Sequence, residues 1–214
     1  QSKWAQKTAG GVNTYNCFTP SNYPCGCVAT VGAQLMRYHE WPESAVPQSS
    51  FLCKVDDAAE MLTLLGGPYA WQAMPFVPDD QTPPEQRDAI GTLTRDVGVA
   101  VHMRYASSVS GTHTPLLAAA FTDTFGYANA CVISDYESGV DEHLPNAVLA
   151  NLDAGFPVGL GIKGSSGGHA VVGDGYGFSG SLLYVHLNMG WSGNDDVWYN
   201  LPIVDTTYYS FSIL

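Results

Sequence analysis

Two residues of the sequence, Cys27 and His169, have the types and surroundings that nucleophilic catalysis requires. Cys27 follows Gly26 and opens the proline-free stretch 27–39, in which apolar residues recur at three- and four-residue spacing and predict a helix. The partial positive charge at the start of a helix lowers the pKa of a thiol, and its free N–H groups stabilise an oxyanion. We therefore expect the Cys27 backbone amide to be one oxyanion donor. A small buried residue or half of a disulfide explains the same cysteine equally well.

His169 is the candidate general base among six histidines. It follows Gly167 and Gly168 and begins a buried-looking strand, so a substrate can approach closely there, and the two glycines are candidate substrate-binding positions. A purely structural histidine fits the same pattern. In the next β-run, we expect Asn188 to accept a hydrogen bond from the imidazole and Trp191 to shield the pair from water. Trp191 is otherwise a core aromatic residue.

The elements that must position these residues change character along the chain. Helical patterns precede Gly155, and short β-type runs separated by Gly, Ser and Asn follow it. This order predicts an α+β fold in one catalytic domain, 1–214, with a helical lobe over about 1–125, an antiparallel β-rich lobe over about 126–214 and the site in a cleft between them. Helices are predicted at 27–39, 56–65, 84–95, 114–124 and 144–154, and strands at 156–162, 170–173, 182–188, 197–201 and 208–214.

Charge and composition limit the classes of function. The formal net charge is −12, from 8 basic and 20 acidic residues, so the surface repels nucleic-acid phosphates and anionic lipids. No apolar run approaches the ~20 residues that cross a bilayer. The chain begins at Gln1 without a signal-peptide pattern. We expect no nucleic-acid partner, no membrane insertion and a processed, secreted mature form.

Five cysteines leave at least one without a partner in the chain. In a secreted protein the other four can form up to two disulfides of undetermined connectivity, whereas a cytosolic protein keeps them as thiols. Cys17, Cys25 and Cys27 cluster, but the second pair of ligands that a zinc site needs is absent, so no metal or other cofactor is expected. The acidic stretch 194–196 is more typical of a solvated turn than of a calcium site.

The sequence resembles the streptopain-like cysteine peptidases over nearly its whole length. The resemblance implies a papain-like two-lobe fold and secretion as a zymogen with an inhibitory pro-segment. It also implies endopeptidase activity on proteins and peptides, with an apolar residue two positions before the cut, Cys27 as nucleophile, His169 as base and no cofactor. The motifs that carry it include Trp4-Ala5-Gln6, Gly26-Cys27-Val28-Ala29-Thr30, Tyr38-His39-Glu40-Trp41-Pro42, Gly167-Gly168-His169-Ala170, Asp174-Gly175-Tyr176 and Asn188-Met189-Gly190-Trp191-Ser192-Gly193.

Two positions depart from the family's pattern. The first Trp of its Trp-Gly-Trp box, which packs on the catalytic histidine, corresponds to Met189, a weaker shield. The family's second oxyanion donor is a Gln shortly before the His loop, yet no Gln follows Gln86. A backbone amide or Ser134 is the expected substitute, and Gln6 is a less favoured one.

Together these features predict acyl transfer, in which the Cys27 thiolate attacks a peptide carbonyl and His169 protonates the leaving amine. An acyltransferase or transglutaminase uses the same chemistry and differs only in the second nucleophile. A catalytically weak, protein-binding relative is the other alternative, prompted by Met189 and the missing Gln. The presence of both Cys27 and His169 argues against it.

Overall fold

A computed structural model describes residues 2–133, 143–165 and 167–213. Within these ranges the fold is α+β, as expected, and no helix is both long and apolar enough to cross a bilayer. The helices are α1 (Cys27–His39), α2 (Pro84–Ala100), α3 (Leu116–Ala119) and α4 (His143–Asp153). The strands are β1 (Thr8–Ala9), β2 (Val12–Asn13), β3 (Ser50–Val55), β4 (Ala58–Thr63), β5 (Arg104–Tyr105), β6 (Val158–Gly164), β7 (Gly167–Ser179), β8 (Leu182–Asn188), β9 (Val197–Tyr199), β10 (Ile203–Asp205) and β11 (Ser210–Ile213).

Helix α1 begins at Cys27 because Gly26 adopts a conformation that is essentially open only to glycine. Its φ and ψ are 91° and 150°. A Cβ at this position would lie 2.8 Å from the side chain of Met103 and 3.0 Å from the carbonyl oxygen of Ser110. The helix is buried from its second residue to Arg37 and packs against α2 and β7. The helix predicted at 27–39 is thus confirmed, with its first residue at the junction with the sheet.

The helix predicted at 56–65 is wrong, because this segment forms one side of a β-hairpin. Strands β3 and β4 pair antiparallel along their whole length, and β3 also pairs with β5 in a three-stranded sheet. Asp56 and Asp57 join β3 to β4 with φ values of 47° and 68°. Positive φ at both central residues is the geometry of a two-residue hairpin turn, and aspartate tolerates it. The acidic pair that suggested a helix start is therefore a turn.

The other predicted helices are present with changed ends. The helix predicted at 84–95 continues to Ala100. The one predicted at 114–124 divides into α3 and a π-helical turn, Ala120–Thr124. Helix α4 matches the prediction at 144–154 within a residue at each end. Three predicted strands are present with shifted or shortened ends: 156–162 as β6, 197–201 as β9 and 208–214 as β11. The strand predicted at 182–188 is β8. Strand β10 was not predicted.

The C-terminal part is a six-stranded antiparallel sheet in the order β10-β11-β6-β7-β8-β9. Strand β7 is central and much longer than the segment 170–173 predicted, because it pairs with β6 on one side and β8 on the other. Within this sheet His169 lies opposite Ile162 on β6, and Asn188 on β8 lies opposite Val172. The sheet therefore brings the two sequence-predicted site segments next to each other.

Alternating residues of β7 face two different apolar clusters. Ala170 and Val172 belong to the cluster built around α1 and α2, whereas Val171 belongs to the cluster inside the β-rich part. Successive side chains of a strand point to opposite faces, so β7 separates the two clusters. The face of β7 that carries Ala170 and Val172 is therefore the one that packs against α1.

Candidate active site

The Cys27 thiol lies at the first residue of α1 against the backbone of β7. The backbone N–H groups of Ala170, Val28 and Cys27 itself donate toward the sulfur and lower its pKa, but burial is the larger effect and raises the pKa of the Cys27 thiol. This direction is opposite to the one expected from the helix start. A helix end contributes only about 0.3–1 kcal/mol, whereas burial shifts a pKa by up to about 3–5 units. The surroundings of Cys27 therefore disfavour its thiolate form in the free protein.

The imidazole of His169 is held by the backbone. Its Nε2 lies 2.8 Å from the carbonyl oxygen of Met189. Because a carbonyl only accepts, Nε2 carries the proton and Nδ1 is the ring's acceptor. Burial lowers the pKa of His169, and the Met189 carbonyl raises it by less. No direct hydrogen bond joins Cys27 to His169 among the described residues. Ala170, the residue after His169, connects them.

Asn188 does not accept a hydrogen bond from the imidazole, contrary to the prediction. Its Oδ1 accepts from the backbone N–H of Gly190 at 3.0 Å, and its Nδ2 donates to the carbonyl of Ser2 at 2.5 Å. The Met189–Gly190 peptide contains both that N–H and the carbonyl that holds His169. Asn188 therefore orients the acceptor of the imidazole instead of being that acceptor.

Trp191 covers the imidazole of His169. The two ring centroids are 4.9 Å apart, with 28° between the ring planes, and Phe211 lies 6.1 Å from the imidazole. The side chain of Met189 is fully buried in the apolar cluster of the β-rich part. The aromatic cover comes from Trp191 and Phe211, so a second Trp at the Met189 position is not needed for it.

A cavity of about 350 Å³ opens beside Trp191 and Gly190, and Gln6 contributes to its wall. The main chain of Gln6 is fixed near the start of α1, because its carbonyl accepts from the N–H of Cys25 at 2.8 Å. Sequence reasoning favoured other second oxyanion donors over Gln6, and Gln6 remains a candidate because its backbone is held just before α1 and it lines the cavity beside Trp191. Ser134, the other named side chain, lies outside the described residues.

Gly167 and Gly168 are exposed at the start of β7, two positions and one position before His169. Gly167 has a φ of 129°, which disfavours any other residue. A Cβ at Gly167 would have no atom within 4 Å. Its backbone is therefore open to a substrate chain on this side of the imidazole.

Cys25 is excluded as a nucleophile by its surroundings. It is completely buried, its sulfur lies 3.4 Å from Thr30 Oγ1, and burial raises its pKa to about 12. A thiol that stays protonated in the core is chemically inert. All five cysteines are free, so none of the disulfides left open by the sequence is present. No group of three or more His, Cys, Asp or Glu side chains in the described ranges could hold a metal ion.

Asp196 is a site residue that sequence reasoning missed. Its Oδ1 accepts from the backbone N–H of Met189 at 2.8 Å, whereas its neighbour Asp195 accepts from the N–H and the hydroxyl of Thr207. The stretch 194–196 begins in the predicted turn, with Asn194 exposed, and its two aspartates are tied into the fold on two sides. No local pattern distinguishes the two aspartates, because their partners come from different parts of the chain.

The sequence model of the Peptidase C10 family matches residues 4–199. This chain belongs to the Peptidase C10 family. The match includes the boxes around Cys27 and His169, and it confirms the resemblance seen in the sequence. The chain is 31% identical over 197 residues to the thiol protease/hemagglutinin PrtT of Porphyromonas gingivalis, covering 88% of this chain and 22% of that protein. It is 26% identical over 221 residues to streptopain of Streptococcus pyogenes, covering 90% of this chain and 53% of that protein.

Solved structures agree with this placement in the Peptidase C10 family. Active interpain A of Prevotella intermedia, a cysteine protease, superposes with a TM-score of 0.84 at 27% identity, over 99% of this chain and 88% of that one. A fragment of prointerpain A gives a TM-score of 0.73 at 25% identity, over 100% of this chain and 69% of that one. The likeness to interpain confirms the α+β fold. The chain spans about half of streptopain and a smaller share of the thiol protease/hemagglutinin.

Proposed function

We propose that this chain is the catalytic domain of a secreted cysteine endopeptidase, with Cys27 as the nucleophile and His169 as the general acid and base. The observation that carries the proposal is the position of the thiol. It lies at the first residue of α1 and against the amide of Ala170, the residue that follows the histidine. Membership of a family of cysteine peptidases supports the same roles.

The reaction begins with proton transfer. The thiol proton of Cys27 passes to Nδ1 of His169 as the sulfur attacks the peptide carbonyl, and the oxyanion accepts a hydrogen bond from the Cys27 backbone N–H. The imidazolium then protonates the leaving amine, which leaves a thioester. Water attacks the thioester with His169 as base and restores the thiol. The Met189 carbonyl holds Nε2–H throughout, so Nδ1 remains the atom that exchanges the proton.

The proposed substrates are proteins and peptides with an apolar residue two positions before the cut. Gly167, two residues before His169, has an open backbone, and a cavity lies beside Trp191, which covers the imidazole; both offer surfaces for an extended chain. We also propose that a pro-segment inhibits the zymogen, because a fragment of prointerpain A resembles the whole of this chain. The proposal needs no cofactor.

The test is hydrolysis of unfolded casein by the wild type, Cys27→Ala and the matched variant Cys25→Ala. We expect Cys27→Ala to be inactive and Cys25→Ala to retain activity, because the Cys25 thiol is completely buried and cannot reach a substrate. A peptide-like, thiol-reactive epoxide, located by mass spectrometry, should label Cys27 before the exposed Cys131, because binding in the cleft brings the epoxide to the thiol although burial raises the pKa of the free thiol. Undiminished hydrolysis by Cys27→Ala would refute the assignment of the nucleophile.

The same assay separates the other two functions. With an added primary amine, an acyltransferase forms a stable amide product with that amine, whereas a peptidase releases free carboxylates. If the wild type neither hydrolyses casein nor takes the epoxide label on Cys27, the chain is a binding protein and not an enzyme.

A further inference from the structure

The backbone on both sides of Met189 is pinned by side-chain acceptors. Asp196 Oδ1 accepts from the N–H of Met189 at 2.8 Å, and Asn188 Oδ1 accepts from the N–H of Gly190 at 3.0 Å. The Met189 carbonyl lies between these two N–H groups and accepts from Nε2 of His169 at 2.8 Å. Fixing both peptide units fixes the direction of the carbonyl, and with it the ring.

The turn that carries this carbonyl runs close to α1. Gly190 has a φ of 67°, a region that residues with a Cβ rarely enter. A Cβ on Gly190 would lie 3.2 Å from the side chain of Thr30 on α1, so the turn passes close to the nucleophile's helix. A small rotation of either peptide unit would move the carbonyl oxygen away from His169. The two side-chain acceptors restrain that rotation.

Asp196 is suited to hold one of these peptide units. Its Oδ2 is buried and has no hydrogen-bond partner in the described part of the chain. Only Oδ1 accepts a hydrogen bond, and the donor is the N–H of Met189. Burial is the largest effect on the pKa of Asp196 and raises it. The Met189 amide and the charges of His186 and Lys3 lower this pKa, and the charge of Asp174 raises it. A buried oxygen without a partner costs free energy. A carboxylate kept at that cost indicates a role beyond folding stability.

We propose that Asp196 is a positioning residue for His169 and acts through the backbone of Met189. With the carbonyl in place, the ring keeps its proton on Nε2 and presents Nδ1 to the thiol. Without Asp196 only Asn188 restrains the backbone around Met189, so the carbonyl is held less firmly against Nε2 and the other tautomer gains population. The inference rests on the proposed role of His169 as general acid and base.

The kinetic test compares Asp196→Ala, Asp196→Asn and the matched control Asp195→Asn. Asp196→Ala removes the acceptor, and we expect kcat to fall roughly 10- to 100-fold with KM unchanged, as for other small misplacements of a catalytic group. Asp196→Asn keeps an oxygen for Met189 and should retain at least about a third of the activity. Asp195→Asn should behave as wild type, because Asp195 holds Thr207 instead. Equal losses in Asp196→Ala and Asp195→Asn, or a loss confined to KM, would overturn the proposal.

The second test reads the ring directly by ¹⁵N NMR, with the His169 signals assigned from His169→Ala. The wild type should show the proton on Nε2, and Asp196→Ala should show a larger share of the Nδ1–H tautomer. If Asp196→Ala does not fold, the NMR spectrum of Asp196→Asn tests the proposal instead. In that variant the signals of the Met189 amide proton and of the His169 Nε2 proton should both move upfield. A changed chemical shift of the Met189 amide proton with an unchanged His169 signal would refute the proposal. A changed tautomer without any change in kcat supports the positioning and instead refutes His169 as the catalytic base.

Discussion

The indole of Trp191 lies over the imidazole of His169, with 4.9 Å between ring centroids and 28° between ring planes. Tyr209 lies 6.1 Å from the indole, and Phe211 lies 6.1 Å from the imidazole. These rings cover part of His169, which stays partly exposed. Their cover contributes to the burial that lowers the pKa of this histidine.

Replacing Trp191 should weaken catalysis without abolishing it. Trp191→Ala removes the stacking contact, and an aromatic pair of this kind contributes about 0.5–1.5 kcal/mol, which corresponds to roughly a 2- to 13-fold fall in kcat/KM. The pKa of His169 should rise toward its ordinary value, because water regains access to the ring. Peptide hydrolysis and an NMR titration of His169 measure the two effects. The control is Trp198→Ala, since Trp198 packs on His186 instead, and an equal loss in both variants would contradict a specific role for Trp191.

Removing the side chain of Gln6 should lower kcat. If Gln6 is the second oxyanion donor, Gln6→Ala reduces kcat by roughly 100- to 1,000-fold with little change in KM, as the loss of one such donor does elsewhere. The backbone bond from Cys25 to the carbonyl of Gln6 survives in this variant, so the chain path should be kept. Lys7→Ala is the control, because Lys7 lines the same cavity and is exposed. Similar kcat values for Gln6→Ala and the wild type would leave a backbone amide or Ser134 as the second donor.

Alkylation of Cys27 in the free protein should depend strongly on pH. Burial raises the thiol pKa and lowers the imidazole pKa, so both shifts favour the neutral pair over thiolate and imidazolium. Since only thiolate is alkylated, the rate of reaction with iodoacetamide should keep rising from about pH 6 to beyond about pH 9. Site-resolved mass spectrometry measures it, with a small free thiol as reference. A rate that is already constant below about pH 6 would show that the helix start outweighs burial.

Gly26→Ala should disturb both folding and activity. The backbone conformation costs a residue with a Cβ about 1–3 kcal/mol, and the added methyl would also collide with Met103 and the Ser110 carbonyl. We expect a lower Tm and a loss of casein hydrolysis, because the start of α1 must shift and carries Cys27 with it. Gly11→Ala is the matched control, since Gly11 also has a positive φ but its Cβ would meet no atom within 4 Å. Equal changes in Tm for the two variants would show that the contacts at Gly26 are unimportant.

Local sequence signals were sufficient to predict secondary structure where it depends on one segment alone. The proline-free apolar pattern after Gly26 predicted α1, and the Gly-to-apolar transition at His169 predicted a strand. They were insufficient at 56–65, where acidic residues suit both a helix start and a hairpin turn. Pairing of β4 with β3 decides between the two, and that pairing depends on a second segment.

The candidate site also has features that the sequence indicates and features that only the fold determines. The amide of Asn188 was recognisable as a partner for the imidazole, but the turn at Gly190 directs it to a backbone N–H and turns the Met189 carbonyl to the ring. Gln6 is far from Trp191 in the chain, and its place in the cavity wall beside Trp191 depends on how the N-terminal segment passes Cys25. Neither arrangement leaves a trace in local residue spacing.

The sequence by itself determined the α+β class, the start of a helix at Cys27, the strand that begins near His169 and the family to which the chain belongs. Periodicity, glycine placement and family motifs are properties of the sequence itself, so they can be recognised without the tertiary structure. Only the tertiary structure decided the direction of the Cys27 pKa shift, the atom that holds Nε2 and which of Asp195 and Asp196 turns toward Met189. Burial and hydrogen-bond partners arise from segments distant in the chain, so they exist only once those segments pack together.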